Sequence, residues 1–236
     1  MSKSLGKKLF WKKLISIPLI VIALALIGYI LLVAVYCIPT SKMEVQMKES
    51  CDVFGKEGSY ISVMSSPNSK LDNFTDALML LTASHPNTGN VWKDAVCASR
   101  LEKEGANTKN TLLYVFKDDG TDTYSISYAR YWHGYLVFLK PLLLFFNYGQ
   151  IRSLLMFLQL GLFLLVIVQM AEKNKKMVFP TFLVWIFLNP VANMLSLQFN
   201  SVITVMFCAM LFILKKQEKH NGEDIYCQYF LSLWEL

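Results

Sequence analysis

Apolar residues fall into long blocks along this chain, separated by polar stretches and basic clusters. Leu14–Tyr36 is 23 residues without a charge, enough to cross roughly 30 Å of hydrocarbon as a helix. Residues 1–13 before it form a short basic tail. Pro18 is expected in the first turns of the span, where a missing backbone donor costs least. A cleaved signal peptide would also begin with a basic tail and an apolar run. However, this run exceeds the usual apolar core, and Tyr36-Cys-Ile-Pro-Thr-Ser lacks a small-x-small cleavage site, so the span reads as uncleaved.

Residues 37–130 are polar. The chain then turns aromatic and apolar over 131–147, where Lys140-Pro141 interrupts the run. Only about 16 residues are available there, so this stretch is expected to lie along the membrane surface as an interfacial helix. A second span is expected at 151–171, with Arg152 near its start snorkelling outward. Met177–Leu214 is 38 residues, too long for one crossing and just enough for two. Asn189-Pro190, Asn193 and Gln198-Phe-Asn200 mark an outer turn, which puts the third span at 178–195 and the fourth at 199–214. Residues 215–236 are read as a cytoplasmic tail. Its apolar end, Ile225–Leu236, has 12 residues and cannot cross. It reads as the start of a fifth, truncated run, or else as an interfacial terminal helix.

Composition agrees with a membrane protein: 54% of residues are hydrophobic, and only 17% are charged where a soluble domain carries about a quarter. The net charge of +6 is no nucleic-acid signal, because 11 of the 23 basic residues sit in three clusters beside apolar runs. These are Lys3, Lys7, Lys8, Lys12 and Lys13; Lys173, Lys175 and Lys176; and Lys215, Lys216 and Lys219. Placed on one side, they give a multi-pass plasma-membrane protein with a cytoplasmic N-terminus and an extracytoplasmic 37–130. The expected class is membrane all-α, about four transmembrane helices, with a small extracellular α+β loop domain.

Within that loop domain, Leu71, Phe74, Leu78 and Leu81 have helical spacing. Thr111–Phe116, an Asp-Asp-Gly turn and Thr123–Tyr128 read as strand, turn, strand, since Asp-Gly supplies the positive backbone angles of a tight hairpin. His85–Asn90 reads as a turn-rich loop. The five cysteines form no CxxC pair; Cys51 and Cys97 share the loop and would be able to pair on an oxidising side.

Two constellations carry candidate chemistry. In Leu71-Asp-Asn-Phe-Thr-Asp76, Asp72 and Asp76 are four apart and share one side of a helix. Paired carboxylates can hold a divalent cation, or one can act as a general base. The plainer reading has Asp72 capping the helix and Asp76 solvated. Asn73-Phe-Thr75 also matches an N-glycosylation acceptor, relevant only in a secretory eukaryotic setting. In Arg130-Tyr-Trp-His-Gly-Tyr135, Arg130 offers a planar fork for phosphate oxygens and His133 a proton shuttle or diphosphate ligand. The plainer reading there is an aromatic belt with snorkelling cations. The chain has no Walker loop, GxSxG, HExxH or dinucleotide fingerprint. Gln159, Gln169, Asn189 and Asn193 within the spans are uncharged, which argues against an ion pump.

In layout and in the motifs LDNFTD and RYWHGYLVFLKPLLLFF, the chain resembles bacterial multi-spanning membrane glycosyltransferases of the GT-C kind. The two short motifs are also similar to those of membrane proteins from gut Firmicutes. The resemblance covers roughly 14–214. It implies transfer of a sugar from a polyprenyl-phosphate donor to an extracytoplasmic acceptor. Asp72 and Asp76 would serve as base or metal ligands, and Arg130 and His133 would contact the lipid phosphate. GT-C proteins carry about twice as many spans, and a DxD motif is missing here. The resemblance therefore implies an N-terminal fragment whose own activity is in doubt. The different-class alternative is a non-catalytic membrane anchor or assembly partner presenting the external domain. A transporter is a third option, which four spans without a buried charge disfavour.

Overall fold

The computed structural model describes residues 2–65, 69–118 and 120–218; most of the C-terminal tail expected to begin a truncated span lies outside them. Ten α-helices and one two-stranded antiparallel sheet occur among these residues. They gather into two compact units, residues 1–56 with 77–148 and residues 57–76 with 149–236. Three helices are long and apolar enough to cross a membrane: Ser16–Tyr36, Tyr148–Lys173 and Leu197–Lys215. They mark a membrane-associated, predominantly helical protein.

The first unit is built on α1 (Ser2–Tyr36). The helix does not begin at the apolar run; it continues back through the basic tail. Pro18 therefore lies in its interior rather than in its first turns, and the carbonyl four residues earlier loses its intrahelical donor. Helices that cross membranes tolerate such a site because their other backbone groups remain paired. After a 3₁₀ turn at Thr40–Met43 comes α2 (Glu44–Glu57), which buries Met47, Cys51 and Phe54. Phe54 stacks on Tyr148 with ring centroids 4.4 Å apart, a contact that contributes about 1 kcal/mol beyond burial. Next come α3 (Asn73–Ala83) and α4 (Val91–Cys97). The apolar spacing from Leu71 to Leu81 predicts α3 to within two residues. Leu71, Leu78 and Leu81 are all buried.

The hairpin expected over 111–128 is not formed. Its first half is a helix, α5 (Thr108–Lys117). Asn107 caps that helix by accepting from the Asn110 amide at 2.9 Å, and Leu112 is fully buried. A cap and a tertiary contact override the strand propensity of Thr-Leu-Leu-Tyr-Val-Phe. Gly120 has a positive φ of +64. The strand after it is β2 (Tyr124–Ile126), which pairs with β1 (Arg100–Glu102) so that Leu101 lies opposite Ser125. The stretch expected as an interfacial helix over 131–147 has only one short helix, α6 (Leu136–Leu142), with Pro141 in its last turn. Cys37, Cys51, Cys97 and Cys208 are free thiols. Cys51 donates its S–H to the Leu112 carbonyl at 3.7 Å, and burial pushes its pKa up to about 12. It stays an unreactive thiol at neutral pH.

The second unit holds α7 (Tyr148–Lys173) and α10 (Leu197–Glu218), which match the second and last expected spans with a few residues added. Phe163, Val166 and Met170 of α7 pack on Ile203, Phe207 and Leu214 of α10. Near one end Asn200 Nδ2 donates to Gln159 Oε1 at 2.8 Å; near the other Lys173 donates to the Leu214 carbonyl. Both pairs are 41 residues apart in sequence, so the two helices run parallel. The intervening chain must travel back along their length. It does so in two pieces, not as the one helix expected at 178–195: α8 (Val178–Phe187) and α9 (Pro190–Leu195). The break is at Asn189, φ +53, whose side chain accepts from the Ala192 amide. Proline after it cannot donate to the preceding turn, so the first helix ends there. Trp185 of α8 stacks on Phe163 at 3.9 Å between centroids.

Candidate functional site

In the second unit, the polar side chains of the Leu71–Asp76 motif are engaged in hydrogen bonds. Asp72, half-buried, accepts from the Thr75 amide at 3.1 Å and from the Thr75 hydroxyl at 2.6 Å. This is the helix-cap role that its spacing left open beside the catalytic one. Asn73 is fully buried and donates to Glu57 Oε2 at 3.0 Å and to the Gly58 carbonyl at 2.9 Å.

Asp76 is fully buried, not solvated. It accepts from the Leu197 amide at 2.9 Å and, with its other oxygen, from the Gln198 amide and the Ser196 hydroxyl, both at 3.3 Å. Leu197 and Gln198 open α10, and a helix's first amides have no partner within the helix. A carboxylate there satisfies them and sits at the positive end of the helix dipole. Asp76 is thus the cap of a helix that begins 121 residues later.

Arg152, expected to snorkel outward, is 5% exposed. Its Nη1 lies 2.9 Å from both oxygens of Glu57, and its Nε donates to the Leu195 carbonyl at 2.5 Å. A carboxylate partner inside the fold removes the reason to reach for water. Asp76 and Arg152 therefore fasten the same short turn, Leu195–Gln198, from the amide side and the carbonyl side. A divalent cation at the aspartate pair would have to take Asp76's oxygens from α10. Among the described residues, no three His, Cys, Asp or Glu side chains gather as a metal site.

The other sequence-predicted pair belongs to the first unit. His133 is buried. Its Nε2 lies 2.7 Å from the Tyr128 carbonyl, which can only accept, so Nε2 carries the proton. Nδ1 then accepts from the Tyr135 hydroxyl at 3.2 Å. Burial lowers the pKa of His133 and keeps the imidazole neutral, against a smaller upward pull from the Tyr128 carbonyl. Both ring nitrogens are engaged. Arg130, by contrast, is exposed, with its guanidinium 5.7 Å from the Tyr131 ring centre. Of the four candidate residues it alone is exposed.

Two residues outside the expected site are as unusual as those in it. Arg152 is one; Lys140 is the other. Lys140 is fully buried, donates to the Ala83 carbonyl at the end of α3 at 2.9 Å, and lies 4.6 Å from the Tyr36 ring centre. The only signal for it in the sequence is a lysine inside an apolar run, which also fits a snorkelling cation. Burial lowers its pKa to about 8, with Asp94 pulling the other way. Between about 8 and the ordinary 10.5, the folded chain has lost this proton and the unfolded chain has not. Stability should therefore rise with pH through that window. Lys140→Met is expected to abolish the rise, as read from thermal unfolding of the detergent-solubilised protein across the same pH range.

Comparison with known proteins finds no matching family model, no matching curated protein and no matching solved structure.

Proposed function

We propose that the protein is a multi-pass membrane component of the cell envelope that presents an external domain as a non-catalytic anchor or assembly partner. The observation that carries this reading is Asp76. The most reactive-looking carboxylate pair of the polar region is engaged in building the fold, one as an internal cap and one as the cap of α10. The proposed topology has cytoplasmic N- and C-termini, residues 37–130 outside, and four crossings. The parallel course of α7 and α10 supports a return crossing between them. The α8–α9 stretch makes it as a broken helix, a form tolerated at membrane depth where protein covers the break. An impermeant thiol reagent on intact cells tests the topology: cysteine placed at 90 should react and cysteine placed at 174 should not.

Exposed Arg130 beside Tyr131 favours a second reading, a GT-C-like transferase fragment whose Arg130 contacts a lipid phosphate. Vesicles containing the full chain and a polyprenyl-phosphate-linked hexose separate the two. The anchor reading expects no transfer above protein-free vesicles. Transfer that Asp72→Asn abolishes, with unchanged protein level, would install the transferase instead.

A further inference from the structure

Along α1, the exposure of the side chains changes well before the helix ends. From Ile17 to Ile27 the large apolar side chains are about half exposed or more, as expected of a face turned to lipid. From Leu32 to Tyr36, Leu32, Val33, Val35 and Tyr36 are all buried by the first unit itself. Ile30 and Leu31 are still exposed, at 59% and 46%, so the change is completed one turn past Gly28 and Tyr29, where two tryptophans meet the helix. Trp132 lies so close to Gly28 that a Cβ there would come within 2.6 Å of the indole. Tyr29 donates its hydroxyl to the Trp92 carbonyl at 3.1 Å, with the two rings 5.9 Å apart. Yet both indoles stay mostly exposed, Trp92 at 57% and Trp132 at 62%. Each is followed or preceded by a cation facing out: Lys93 after Trp92, Arg130 before Tyr131-Trp132.

We propose that this collar of Tyr29, Trp92, Tyr131 and Trp132, with Lys93 and Arg130, seats in the headgroup layer of a phospholipid membrane, so that the outer boundary crosses α1 near Gly28, two turns below the helix's end. Three physical points converge on it. Amphipathic rings prefer the boundary between hydrocarbon and water. Cations next to them meet lipid phosphates. Buried Leu32, Val33, Val35 and Tyr36 gain nothing from lipid, being already covered by protein. The apolar lipid-facing surface of α1 also runs directly into the collar, which makes lipid, rather than a protein partner, its occupant. Counting about 20 residues back from Gly28, the length of a spanning helix, reaches Leu9, next to Lys7 and Lys8. The start of the basic tail then flanks the inner boundary, as the positive-inside pattern requires.

The inference rests on the reading of α1 as a membrane crossing, and the test tells the two apart. Spin labels are placed singly at Ser16, Leu19, Ile22, Leu24, Ile27 and Ile30 of the full chain in phospholipid vesicles; all six side chains are exposed, so labels there leave packing intact. The depth maximum should fall near Leu19. A maximum near Leu26, the middle of Ser16–Tyr36, would overturn the collar while leaving the crossing in place; water access at all six would overturn the crossing itself. Independently, variants keeping only Trp92 or only Trp132, with the other tryptophans changed to Phe, should be quenched roughly twofold more by lipids brominated near the headgroup than by lipids brominated mid-chain. Quenching by aqueous iodide with none by either lipid would place the indoles in water and refute the proposal.

Discussion

Asp76→Ala is expected to destabilise the protein by about 3–4 kcal/mol, because it leaves two opening amides of α10 and a buried hydroxyl without their acceptor. The effect should be local before it is global. Amide exchange at 196–200 should accelerate at denaturant concentrations that leave α7 protected, since a helix loses its first turn before its packed face. Asp76→Asn keeps the shape but halves the acceptors and removes the charge from the helix end. It should lose about half as much. Denaturation in mixed micelles, with hydrogen exchange read by peptide, measures both. If Asp76→Ala leaves unfolding and exchange unchanged, the carboxylate is not what holds α10, and its candidacy as a reactive group reopens.

Arg152→Met alone should cost about 3 kcal/mol, and Glu57→Leu alone a similar amount, because each leaves its partner charged inside the fold. The Glu57 side chain retains 26% of its exposure, which puts the cost at the lower end for a buried pair. The double replacement should recover most of the loss, giving a coupling of about 2 kcal/mol. Additive losses would mean that the pair is screened and that Arg152 acts through the Leu195 carbonyl instead. Asn73, which also donates to Glu57, is shared by both arms of the cycle and should be left in place.

These two expectations turn on contacts between residues far apart in the chain, and that is where sequence reasoning ran out. Helices with a local signal were legible. The charge-free run ending at Tyr36, the apolar spacing of Leu71, Leu78 and Leu81, and the existence of α7 and α10, though not their exact ends, follow from hydropathy or periodicity. Asp72 as a cap was legible because cap and helix are adjacent. The partner of Asp76 was not: nothing near position 76 announces amides at 197 and 198. Arg152 looked like a snorkelling cation because Glu57, 95 residues earlier, is what draws it inward. The false strand at 111–116 failed in the opposite way. Its β-rich residues are a genuine local signal, outweighed by the Asn107 cap and the burial of Leu112. Asn189-Pro190, Asn193 and Gln198–Asn200 together suggest an outer turn; the structure breaks the helix at Asn189, but Asn193 lies inside α9 and Gln198–Asn200 inside α10. That the stretch between α7 and α10 folds as two short helices goes with the parallel course of those neighbours, which only three dimensions supply.

Asp76 has a consequence for the order in which the protein is made. It leaves the ribosome 121 residues before Leu197, the first amide it will hold. At ordinary elongation rates that is a delay of roughly 6–24 seconds. Throughout it, the aspartate at the head of α3 has no backbone partner from α10 and remains a hydrated charge. The first turn of α3 therefore cannot bury itself early, and the second unit cannot close on a nascent chain that stops short of α10. Arg152 reaches Glu57 earlier in synthesis, but its bond to the Leu195 carbonyl waits for the same segment. Closure of the second unit is thus timed by α10, and a ribosome stalled before it should leave both Asp76 and Arg152 without their partners at 195–198.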